Sequence, residues 1–160
     1  MSNQIQGFQL SPQQTRLWLL QKVRRIDPVQ CAIMLEGDIN LDKLSEVLQR
    51  IIDRHEILRT TFHHRPGMRL PIQVIADRSI TVIRRLDLPQ QESSDESAYT
   101  ESFLKQEREH CFNYEQGPLL RALLLSFSTR RNLLLLTLPA IGADARTLGN
   151  IFTAICDEFA

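Results

Sequence analysis

Residues 119–138 read LLRALLLSFSTRRNLLLLTL, two apolar runs split by the polar turn Thr129-Arg130-Arg131. Each run has the length of a strand. Each is apolar at consecutive positions rather than alternate ones. A strand with one wet face alternates, whereas a strand covered on both faces reads as near-continuous hydrophobic sequence. The stretch therefore predicts strands at 119–127 and 132–138, inside a sheet covered on both sides.

Working outward, the cover comes from amphipathic segments. Leu41, Leu44, Val47, Leu48, Ile51, Ile52 and His55 recur at helical spacing, with Lys43, Glu46, Gln49, Arg50 and Asp53 opposite and Asn40 as N-cap. Leu148, Ile151, Phe152 and Ile155 give a second buried stripe, on a helix from about 144 to 159. A third helix, charged, is expected over 95–111 with Tyr99, Phe103, Leu104 and Cys111 facing inward. Ser11 followed by Pro12 opens a fourth, running to about 23 with Leu17, Trp18 and Leu20 buried. Asp27-Pro28 lies beyond it, where helix cannot continue. Short strands are expected at 31–35, 58–62, 72–75 and 79–86, the second and third forming a hairpin through Arg65-Pro66-Gly67. Residues 89–96 read as a polar surface loop. The fold class is α/β, an α+β sandwich of one mixed sheet covered by helices, in a single domain over 1–160.

Composition narrows the function. Lys plus Arg and Asp plus Glu number 19 each, so no bulk charge favours nucleic acid or an anionic membrane surface. The longest apolar stretch, 133–141, is broken by Thr137 and Pro139 and is too short to span a bilayer. Residues 1–7 lack the basic start and apolar core of a signal peptide. Three cysteines at no metal-like spacing read as reduced thiols of a cytoplasmic protein. No period of 20–50 residues and no glycine-rich phosphate loop occurs.

Three segments, in order, resemble the condensation domain of nonribosomal peptide synthetases. Leu10-Ser11-Pro12-Gln13-Gln14 leading to Leu17-Trp18 is similar to the family's opening motif. Arg54-His55-Glu56-Ile57-Leu58-Arg59-Thr60-Thr61-Phe62 resembles its most specific motif, and Pro118-Leu119-Leu120-Arg121-Ala122 a later strand. The resemblance implies the chloramphenicol acetyltransferase-like fold, two lobes in a V around a tunnel, of which this chain would be the N-terminal lobe. It also implies a catalytic signature, His-His-x-x-x-Asp-Gly, after the second apolar strand. That place here reads Pro139-Ala140-Ile141-Gly142-Ala143-Asp144-Ala145. Asp144 matches the aspartate, Pro139 and Ala140 stand for the two histidines, and Ala145 for the glycine. In the family a donor thioester and an acceptor amine, each on a carrier protein's phosphopantetheine arm, meet beside the second histidine. A methyl group at Ala140 neither donates nor accepts a hydrogen bond.

The resemblance therefore implies a non-catalytic lobe, with the motif positions Pro139, Ala140, Asp144 and Ala145 degenerate. It would act as a structural or interaction platform for neighbouring adenylation or carrier domains, or self-associate. No cofactor would be bound directly. The contact surface is expected around 139–146. The alternative is a fragment of an active domain that forms amide or ester bonds. Arg54, Arg59 and Asp144 are expected in structural roles, at least one arginine being buried and paired, with Asp144 its leading partner. The other chemistry-bearing residues read as structural. His63-His64 lacks an aspartate at the required offset, His55 ends an apolar stripe, and Ser11 caps a helix. His110 and Cys111, as adjacent helix residues, point apart. Arg84-Arg85 and Arg130-Arg131 read as solvated faces.

Overall fold

The computed structural model describes the backbone of residues 7–89, 93–143 and 145–159, and the side chains of these apart from 93, 94 and 145. Helix α1 (Pro12–Gln21) precedes strand β1 (Val29–Glu36), followed by α2 (Leu41–Arg54) and a 3-10 turn at Glu56–Arg59. Strands β2 (Thr60–His63), β3 (Ile72–Ile75) and β4 (Ile83–Asp87) lead to α3 (Ser93–Glu109). Strands β5 (Arg121–Ser128) and β6 (Arg131–Leu138) and helix α4 (Ala145–Phe159) complete the order.

The two apolar runs are the centre of the molecule. The main sheet has the order β1-β6-β5-β4, antiparallel except for the parallel β4–β5 pair. Alternate residues of β5 and β6 feed two separate cores. Ala122, Leu124, Leu134, Leu136 and Leu138 meet Leu44, Val47, Leu48, Ile51 and Ile52 of α2 and Leu148, Ile151 and Ile155 of α4. Leu123, Leu125, Phe127, Leu133 and Leu135 meet Tyr99, Phe103 and Leu104 of α3 on the other face. Burying each such leucine contributes about 1.5–3 kcal/mol, so continuous hydrophobic sequence is what this position in the sheet requires.

Three expectations are corrected. The strands do not form one sheet, because β2 and β3 pair only with each other as an antiparallel hairpin, extended by a bridge between Phe8 and Gln73. The hairpin turns through Gly67, whose φ of +81° suits glycine. Residues 58–59, read as the start of a strand, belong instead to a 3-10 turn over Glu56–Arg59. On α4 the buried stripe is Leu148, Ile151 and Ile155, while Phe152 lies exposed on its flank.

The hairpin nonetheless supports the site. Fully buried Phe62 from β2 joins Trp18 of α1, Leu119 and Ile141 in a third core, with Phe112 and Tyr114 packed against it. Trp18 and Tyr114 meet edge to face at 5.7 Å. Ser11 fixes the start of α1 through a capping box: its Oγ accepts from Gln14 N–H at 3.2 Å, and its own N–H donates to Gln14 Oε1 at 2.8 Å.

Candidate functional site

Strand β6 delivers the chain to the degenerate motif. Residues 139–143 turn tightly, with Gly142 N–H donating to the Pro139 carbonyl at 2.9 Å, before α4 begins at Ala145. Pro139, Ile141 and Gly142 are buried and Ala140 is half-buried. Within the contact region expected over 139–146, Ile141 is turned inward and packs into the third core. Asp144, and with it the expected pairing to an arginine, lies outside the described residues, as does the Ala145 side chain.

A cavity of about 270 Å³ opens beside the turn. Its lining includes Leu17 of α1, His110, Cys111 and Tyr114 from the exit of α3, and Pro139 and Ala140. The sequence placed His110 and Cys111 on a helix, where neighbours diverge. Helix α3 in fact ends at Glu109, and both residues line the same cavity.

Arg121 holds this wall in place. Its guanidinium donates to the backbone carbonyls of Glu107, His110 and Cys111, the last two at 3.1 and 3.4 Å, and stacks 3.9 Å from the Phe112 ring centroid. Glu107, 6% exposed at its side chain, binds Arg121 Nε at 3.1 Å and also pairs with Arg84. Burial lowers the Arg121 pKa, and the Glu107 carboxylate opposes that shift. Burial, then the Cys111 thiol, raises the pKa of Tyr114, so its phenol is a poorer source of anion than a free tyrosine.

The remaining candidates lie elsewhere. Arg54 is exposed in the last turn of α2. The Arg59 side chain is 17% exposed; it donates to the Ala76 carbonyl at 2.5 Å and lies 3.8 Å from Glu56 Oε1. His55 closes α2 through its backbone N–H. His63 Nε2 lies 2.8 Å from Thr61 Oγ1, and exposed His64 sits 5.5 Å from the Trp18 ring. The basic pairs are only partly solvated faces, since Arg84, Arg85 and Arg131 pair with Glu107, Asp87 and Glu96. Among the described residues no group of three His, Cys, Asp or Glu could hold a metal, and no helix is long and apolar enough to cross a membrane.

Known proteins match this arrangement. The family profile described as "Condensation domain" covers residues 4–155. Gramicidin S synthase 2 of Brevibacillus brevis is 30% identical over 117 residues, 71% of this chain but 3% of that synthase. The starter condensation domain of rhizomide synthetase superposes over 94% of this chain and 36% of its own, with a TM-score of 0.79 at 21% identity. The X-domain solved in complex with OxyB from teicoplanin biosynthesis gives 0.77 at 23% identity, over 99% of this chain and 34% of that one. The chain thus spans a few hundredths of the synthase and about a third of each solved relative.

Proposed function

The chain belongs to the condensation-domain family of nonribosomal peptide synthetases, and from that premise we propose that residues 1–160 are an N-terminal lobe without condensation activity, serving as a platform for neighbouring domains. One observation carries the reading: Ala140, in the place of the histidine, borders the cavity beside the turn with nothing but a methyl group. In the family reaction the amine must be positioned and shed a proton as it attacks the thioester carbonyl. Ala140 can do neither, and Pro139 lacks even an N–H to donate. The other proton-active groups at the cavity, Glu109, His110, Cys111 and Tyr114, enter from the end of α3 and the segment after it rather than from the motif turn. Tyr114 is held towards its neutral form by burial, and His110 stands on the exit of α3. The phosphopantetheine arm belongs to the partner carrier and is substrate here, not a resident cofactor.

The interaction half of the proposal draws on what the lobe exposes. Ile80 and Val82 are 63% and 78% exposed on the extended segment leading into the edge strand β4. Apolar side chains beside an unpaired edge suit a partner that covers them. The X-domain's solved complex with OxyB is a precedent, within this fold, for a domain bound to a second protein.

The catalytic half is tested by supplying a donor acyl-carrier thioester and an acceptor aminoacyl-carrier, and reading both by intact-protein mass spectrometry. The expected result is no amide product above the uncatalysed background. Product that scales with the concentration of this chain would overturn the reading and favour an active domain.

A further inference from the structure

A second cavity, of about 320 Å³, shares no lining residue with the one beside Ala140. It is walled by the start of β2, the segment that follows β3 and the Gly117-Pro118 turn before β5. Among the described residues its charged lining is Arg59 and Arg78, with no carboxylate. Ser79 and Gln116 add neutral donors to the same lining, while Ile80, Pro118 and Leu119 make it apolar elsewhere.

The protein itself compensates these two positive charges poorly. Arg78 is exposed and makes no ion pair among the described residues. The Arg59 side chain is 17% exposed, and the carboxylate nearest to it, on Glu56, is 67% exposed and 3.8 Å away. A pair that long, with one partner mostly in water, adds little, whereas a guanidinium largely withdrawn from water calls for an anion. Both arginines are also held in place. Arg59 exchanges two hydrogen bonds with Ala76, its carbonyl accepting from Ala76 N–H at 3.0 Å and its Nη1 donating to the Ala76 carbonyl. The chain beside Arg78 is tied to α2, where Gln49 Nε2 donates to the Ser79 carbonyl at 2.8 Å.

We infer that this cavity binds a monophosphate ester with a short apolar group. Two guanidinium groups without a carboxylate match a head that carries about −1.5 to −2 charges at neutral pH better than a single carboxylate. The phosphate oxygens accept from Arg59 and Arg78, and the apolar group lies against Ile80, Pro118 and Leu119. Binding is non-covalent and independent of whether the motif at Ala140 forms amides.

The test is an amide proton–nitrogen NMR titration of the intact chain with n-butyl phosphate, with pentanoate, inorganic phosphate and n-butanol in parallel. Saturable shifts are expected at Thr61, Ser79, Ile80 and Gly117. Pentanoate should bind on the order of tenfold more weakly, inorganic phosphate severalfold more weakly, and n-butanol not at all. Arg78→Gln should weaken n-butyl phosphate on the order of tenfold. Arg59→Lys, which keeps the charge but loses the fork, should weaken it severalfold. Arg85 pairs with Asp87 and does not line the cavity, so Arg85→Gln should change nothing. Absence of saturable shifts, pentanoate or inorganic phosphate binding as tightly as the ester, or equal weakening by Arg78→Gln and Arg85→Gln would overturn the proposal.

Discussion

Glu107 shows how far one residue's surroundings escape the sequence. It lies on a strongly charged helix and nothing in the sequence singles it out, yet its side chain is 6% exposed between two arginines. The two pairs differ in burial, so they should differ in energy. Arg121 is 21% exposed and Arg84 54% exposed at the side chain. Glu107→Ala strands a largely buried guanidinium and should destabilise the fold by about 3 kcal/mol. Arg84→Ala removes a partner more than half in water and should cost under about 1 kcal/mol. Urea unfolding of the two variants checks both, and equal losses would place the burden on Arg84 instead. Ala140 is the opposite case: its meaning rests on motif position alone, and the structure adds that it borders the cavity. Cys111 falls between. The residue was visible in the sequence, but only the end of α3 at Glu109 turns it into the cavity beside His110.

At the scale of elements, legibility followed the range of the interactions. The 119–138 stretch pointed to both central strands because burial on both faces leaves its mark on consecutive residues. Helix α2 was equally clear, its apolar positions all turned to the sheet. Sheet membership was not legible, since whether β2–β3 joins the main sheet depends on partners far along the chain. Phe152 departs from its expected burial for a related reason: it borders the buried stripe of α4, and helical spacing alone cannot say where the covering surface ends. These differences should appear in stability. Leu134, fully buried in β6, should cost about 2–5 kcal/mol on substitution by alanine. Phe152→Ala, on an exposed flank, should cost less than about 1 kcal/mol. Thermal or urea unfolding distinguishes them, and a large loss at Phe152 would mean that a partner or a second copy covers it.

For the whole molecule, the described residues form two sheets, four helices and three apolar clusters, with a cavity lined by Pro139 and Ala140, the positions where the resemblance sets the signature's histidines. Neither of those side chains can transfer a proton, which is why contact rather than chemistry is the function proposed. Exposed Ile80 and Val82 beside the β4 edge are the side chains such contact would cover, at about 25 cal/mol per Å² of apolar surface. Multi-angle light scattering of this chain, alone and mixed with a synthetase adenylation or carrier domain, tests that claim most directly. The expected result is a defined complex or a dimer, weakened by Ile80→Ser together with Val82→Ser. A strict monomer that elutes independently of either domain would contradict it.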